Sequence, residues 1–174
     1  MDLIKAALQD VVLGQDFLTW LWFRSEKSGW LFKMPDGSEF NVYLEQRLSV
    51  RGGSGDNVEK AVVTGPHAEF TEAKLGLRNG KLVDKVVVRF ERDGATWMVL
   101  LGSDDFTLSG LKTPKIETHL DEGDDPDALF LEKILLVEQC MEFVDELYRQ
   151  FLEVRLSTGW TDELRAFKGW LAEQ

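Results

Sequence analysis

Cysteine is nearly absent: Cys140 is the only one in 174 residues. One thiol cannot close an intramolecular disulfide or build a cysteine metal cluster, so a disulfide-stapled scaffold and a zinc-ribbon type of site are excluded. Histidine is almost as scarce. His67 and His119 stand far apart and form no paired-histidine metal pattern. Four prolines and fifteen glycines are too few for a collagen-like or low-complexity chain. No apolar run approaches the ~18 residues that span a bilayer. The start, Met1-Asp2-Leu3-Ile4-Lys5, lacks the basic opening and small-residue cleavage site of a secretory signal. These absences lead us to expect a cytoplasmic, membrane-free protein that carries no metal and no cofactor.

Basic charge is in deficit, with 20 Lys and Arg against 31 Asp and Glu, a net −11. The deficit is uneven: residues 1–46 carry −3, residues 47–118 carry +1 and residues 119–174 carry −9. Phosphate is repelled at long range by that total, which disfavours free-standing, sequence-independent binding to nucleic acid. A local basic face in the middle third is the place left for such contact.

What is present suits one domain over residues 1–174. The composition is 44% hydrophobic and 29% charged, and at this length roughly 70% of the unfolded chain's surface can be buried. Apolar residues at three- and four-residue spacing predict a helix from Leu3 to about Phe23, stopped by Ser28-Gly29. Its second half, Phe17 to Phe23, is apolar nearly all round. Trp30–Met34 and Glu39–Glu45 flank Asp36-Gly37 and read as a hairpin with a two-residue turn. That register sets Leu31 against Val42 and Lys33 against Phe40, with Leu31, Phe40, Val42 and Leu44 on one face. Val58–Thr64 reads as a strand, and Pro66–Arg78 as a short helix with Phe70, Ala73 and Leu77 inward and a stop at Asn79-Gly80. The clearest hairpin joins Lys85–Arg92 to Ala95–Leu101 through Asp93-Gly94, placing Phe90 opposite Trp97, Val88 opposite Val99 and Val86 opposite Leu101. Its other face is mixed and expected to be partly solvated. Phe106–Leu111 reads as one more strand. After a polar linker, His119–Asp127, a long helix runs from about Pro126 to Leu156. Phe130, Ile134, Val137, Met141, Val144, Tyr148 and Phe151 form its apolar stripe, broadened by Leu136, Cys140, Phe143, Leu147 and Val154. Thr161-Asp162 caps a last short helix. The fold class expected is α+β: an antiparallel sheet of hairpins with helices on one face, closed by the long C-terminal helix.

Sites of chemistry are hard to find. The loop Gly52–Gly55 is rich in glycine, but a strand follows it where a phosphate-binding loop needs a helix. The acids from Asp121 to Asp127 lack the spacing of a calcium loop and instead suit the N-terminus of the long helix. Nothing assembles a nucleophile, a base and an orienting group, so no catalysis is expected. Two surfaces remain. Arg47, Arg51, Lys60, Lys74, Arg78 and Lys81 are candidates for contact with DNA phosphates. Phe17, Trp20, Trp22 and Phe23 are candidates for an interface with a second copy or another protein. Phe143, Leu147 and Phe151 of the long helix could instead cover those aromatic rings within one chain.

Five stretches taken in order resemble a known family. They are Leu13–Glu26 (LGQDFLTWLWFRSE), Val42–Leu48 (VYLEQRL), Gly65-Pro66, Leu108–Pro114 (LSGLKTP) and Leu147–Leu156 (LYRQFLEVRL). Together, from about residue 13 to 160, they resemble the C-terminal half of RdgC-like recombination-associated proteins. The resemblance implies a non-enzymatic accessory role in DNA recombination or replication. Members of that family bind duplex DNA without marked sequence preference, form a ring-shaped dimer with a basic inner surface, and restrain recombinase filaments. It also implies that the chain could associate with the nucleoid. The family's N-terminal half has no counterpart here, so a partner supplying that half is expected, while the apolar segment Phe17–Phe23 leads us to expect a homodimer or other protein contact. The other reading is a protein–protein interaction or assembly module acting through the Trp-rich N-terminal helix.

Overall fold

The computed structural model describes residues 13–52, 59–64, 70–104, 106–116 and 126–173. In chain order the elements are α1 (Gly14–Lys27), β1 (Leu31–Lys33), β2 (Glu39–Gly52), β3 (Glu59–Thr64), α2 (Thr71–Arg78), β4 (Leu82–Arg92), β5 (Ala95–Gly102), β6 (Leu108–Lys112), α3 (Pro126–Arg155) and α4 (Trp160–Ala172). The six described strands form one antiparallel sheet in the order β1-β2-β4-β5-β6, and β3 shares with β1 the second edge of the long strand β2. The α+β class and the long C-terminal helix match the expectation.

The β4–β5 hairpin has the expected register, Phe90 to Trp97, Val88 to Val99 and Val86 to Leu101. Asp93 and Gly94 both sit at positive φ, the geometry that lets a two-residue turn follow the twist of its strands. All six side chains are buried. The first hairpin is displaced by one residue. Leu31 pairs with Asn41, Phe32 with Phe40 and Lys33 with Glu39. The cause is the turn. Of its residues only Gly37 has positive φ, the Gly37 amide donates to the Met34 carbonyl, and the Met34 amide donates to the Ser38 carbonyl. This is a three-residue loop, and one extra residue exchanges the two faces of the strand. Phe32 is therefore buried and Leu31 is exposed.

Helix α1 begins later and ends later than expected. Leu13 at φ 48° precedes it, Ser28 caps it, and the stretch before Leu13 lies outside the described residues. A Cβ at Gly14 would lie 1.9 Å from the Ser103 carbonyl oxygen, so only glycine lets the helix start this close to the end of β5. A bulge in β4 fixes the other side. Ser49 pairs with Lys85 and Val50 with Val83, leaving Asp84 as the extra residue. The Val83 amide donates to Thr19 Oγ1 at 2.9 Å, and the Ser103 amide donates to the Asp84 carbonyl. The short helix before Arg78 is described only from Thr71, with Phe70, Ala73 and Leu77 buried as expected. Phe106 stands outside β6, at φ 52°, and packs on Phe17 and Tyr148.

Candidate interaction surface

The expected basic face is occupied by acids of the same chain. Arg51 Nε lies 3.2 Å from Asp84 Oδ1, and its other nitrogens reach Asp104. Lys60 Nζ lies 3.0 Å from Asp84 Oδ2. Asp84 is only 2% exposed, so its charge needs these two cations. Lys81 pairs with Glu59 at 3.0 Å. Lys74 and Arg78 on α2 reach neighbouring helices, Lys74 half-buried and Arg78 still exposed. Lys74 Nζ donates to Glu26 at 2.9 Å and stands 4.5 Å from the centre of the Trp170 ring. Arg78 Nε donates to the Leu171 carbonyl at 2.7 Å, at the end of α4. Arg47 pairs through its backbone with Thr64, and its side chain lies outside the described residues. The structure thus gathers Arg51 and Lys60 at one carboxylate and spends Lys74 and Arg78 on helix packing.

The expected interface residues are core. Phe17, Trp20, Trp22 and Phe23 are all below 5% exposed. Phe151 and Tyr148 of α3 cover Phe17, and Phe151 and Glu163 cover Trp20. Trp170 of α4 packs on both Trp22 and Phe23. Trp22 Nε1, Trp170 Nε1 and Lys74 all donate to the Glu26 carboxylate, which ties α1, α2 and α4 at one point. The aromatic helix is therefore satisfied within one chain. Of the cover expected from α3, Phe151 supplies it. Phe143 instead meets Phe40, Phe90 and Trp97 of the sheet. A small apolar cavity of about 70 Å³ remains between α1 and α4, between Trp20, Phe23, Trp160 and Phe167.

The open surface lies where the sequence reading placed core. Cys140, Phe143, Leu147 and Phe151 of α3 are buried, and burial pushes the Cys140 thiol up to about 11. The first half of the stripe that begins at Phe130 is not, although its later members Val144 and Phe151 are buried. Phe130 is 62% exposed, Leu131 59%, Leu135 57% and Met141 47%, with Ile134 and Val137 each over a third exposed. The sheet reaches the middle of α3 through Trp97, whose Nε1 donates to the Leu136 carbonyl at 2.9 Å. The charges change along the helix as well. Glu146 is buried and hydrogen-bonded by Arg149 and Gln150, and the Arg149 guanidinium holds its carboxyl below the usual range. Glu138, Glu142 and Asp145 are exposed and make no ion pair among the described residues.

Among the described residues no group of three or more His, Cys, Asp or Glu could hold a metal ion, and no helix is long and apolar enough to cross a membrane. No family model, no curated protein and no solved structure matches the chain, so what it does must be read from its own residues.

Proposed function

We propose that this chain is a non-catalytic accessory protein that works by binding another protein through the first half of α3. The RdgC-like resemblance implies that the setting is DNA recombination or replication. The supporting observation is the exposed row Phe130, Leu131, Ile134 and Leu135, on a helix whose later turns pack against the sheet and α1. These four large apolar side chains, with Val137 and Met141, present on the order of 500 Å² of apolar surface, at the upper end of what a monomer leaves in water. The contact region differs from the Trp-rich helix that the sequence suggested, because that helix is already enclosed.

A photo-crosslinking amino acid placed at Leu135 tests this reading in cells. A discrete crosslinked species is expected from Leu135, none from Lys168 on the exposed side of α4, and none after Phe130→Ser is added. Absence of any crosslink at Leu135 overturns the reading. Weak sequence-independent contact with duplex DNA is a second reading, favoured by the five stretches shared in order with the RdgC-like proteins.

A further inference from the structure

We propose that the exposed half of α3 receives an amphipathic helix of another protein, whose apolar stripe is bordered at one end by lysines or arginines. This rests on the reading above and names the chemistry of the partner.

Two rows run side by side along this part of α3. One is Phe130, Ile134, Val137 and Met141, at the alternating four- and three-residue spacing that keeps side chains on one helix face. The second follows the same spacing one position on: Leu131, Leu135, Glu138, Glu142 and Asp145. It starts apolar and ends as three exposed carboxylates. A helix laid along both rows finds apolar contact over its whole length and negative charge at one end only. That is the helix-in-groove mode, with anchors at three- and four-residue intervals.

Charge decides between occupants. Several acids elsewhere in the described chain are matched by cations, as Asp84, Glu26, Glu59 and Glu146 are. On this face three in succession are not. A second copy would bring the same three carboxylates, and between Asp127 and Asp145 it offers Lys133 as the only cation against five acids. Like charges across such a contact oppose association. A basic-ended apolar helix is drawn to this face and oriented on it, with Lys or Arg over Glu138, Glu142 and Asp145.

The test uses the full chain and two fluorescent synthetic peptides with one shared leucine stripe at three- and four-residue spacing. In the first, one end carries lysines beside the stripe. In the second, glutamates replace them. The lysine peptide is expected to bind at least tenfold more tightly than its twin, with an affinity that falls as salt rises. Phe130→Ser with Leu135→Ser should weaken both peptides. Glu138→Gln, Glu142→Gln and Asp145→Asn together should remove the difference between them. All of these positions are exposed, and unchanged melting temperatures would show that the variants stay folded. Equal affinities for the two peptides overturn the proposal, as does failure to bind either. A mass that doubles with concentration and returns to monomer on Phe130→Ser assigns the face to a second copy and also overturns it. So does a crosslink from Leu135 to residues 1–12 of the same chain. If the peptides fail while Leu135 crosslinks to another protein in cells, the protein-contact reading stands and only the basic partner is lost.

Discussion

Cys140 is 1% exposed inside a helix facing the sheet, and burial raises its thiol to about 11. Both low access and a scarce thiolate slow attack on an electrophile. We expect the native protein to resist a water-soluble disulfide reagent and to react with one equivalent only on unfolding. Rapid native labelling would show that α3 is not seated as described. Glu146 gives a matching acid-side prediction. The Arg149 hydrogen bond holds its carboxyl below the usual glutamate range, with a further hydrogen bond from Gln150 and an opposing push from burial. A group depressed in the folded state contributes stability above its unfolded pKa, and that contribution is lost as pH falls through the folded value. Half of the Arg149 side chain is in water, so screening keeps the effect small. Urea midpoints followed from neutral pH down through the carboxylate range should fall less steeply in Glu146→Gln than in the parent. Parallel curves would remove Glu146 from the account.

At the scale of elements, local chemistry decided what could be read in advance. The β4–β5 register was legible because Asp93-Gly94 permits a two-residue turn and three apolar pairs agree with it. Trp97 is buried at 3% exposure, packs edge-on against Phe143 and hydrogen-bonds the Leu136 carbonyl. Trp97→Ala should therefore cost about 3–5 kcal/mol in chemical denaturation, and a loss within error would mean that the ring is not enclosed. The β1–β2 register turns on the weight of one residue. Pro35 is preset for the second position of a type I turn, which moves Gly37 to the left-handed position after it. Helix α3 is ambiguous in sequence for another reason. Its apolar residues occupy more than one row, and periodicity alone does not say which row meets the sheet. Only the packed structure shows that the row from Phe130 stays exposed as far as Met141 and is covered at Val144 and Phe151. The aromatic density of α1 was visible, but the helix that encloses it, α4, is remote in sequence, and its Trp170 and Glu163 contacts could not be foreseen.

For the whole molecule, the pairing of the middle third's cations bears directly on DNA. Arg51, Lys60, Lys74 and Lys81 each face a carboxylate of the same chain, so phosphate contact must compete with those pairs. If the activity implied by the resemblance is present, gel shift should show weak binding that vanishes with salt and has no sequence preference. Lys74→Glu, Arg78→Glu and Lys81→Glu together should weaken it evenly across sequences, with a melting curve to check that α2 and α4 stay docked. An affinity untouched by these changes would remove this face from any DNA contact.

The joint between α3 and α4 is open. Leu156 is 76% exposed, and Ser157, Thr158 and Gly159 are exposed beside it. A protease cutting there would sever the covalent link to α4, leaving it held by Trp170, Arg78 and the Glu26 knot. The clipped protein should keep its solution mass while that helix remains in place. Once the fragment departs, the rings of Trp20, Trp22 and Phe23 lose part of their cover. One nick would then turn a well-behaved chain into a sticky one, and tryptophan emission should shift to the red as aggregation begins.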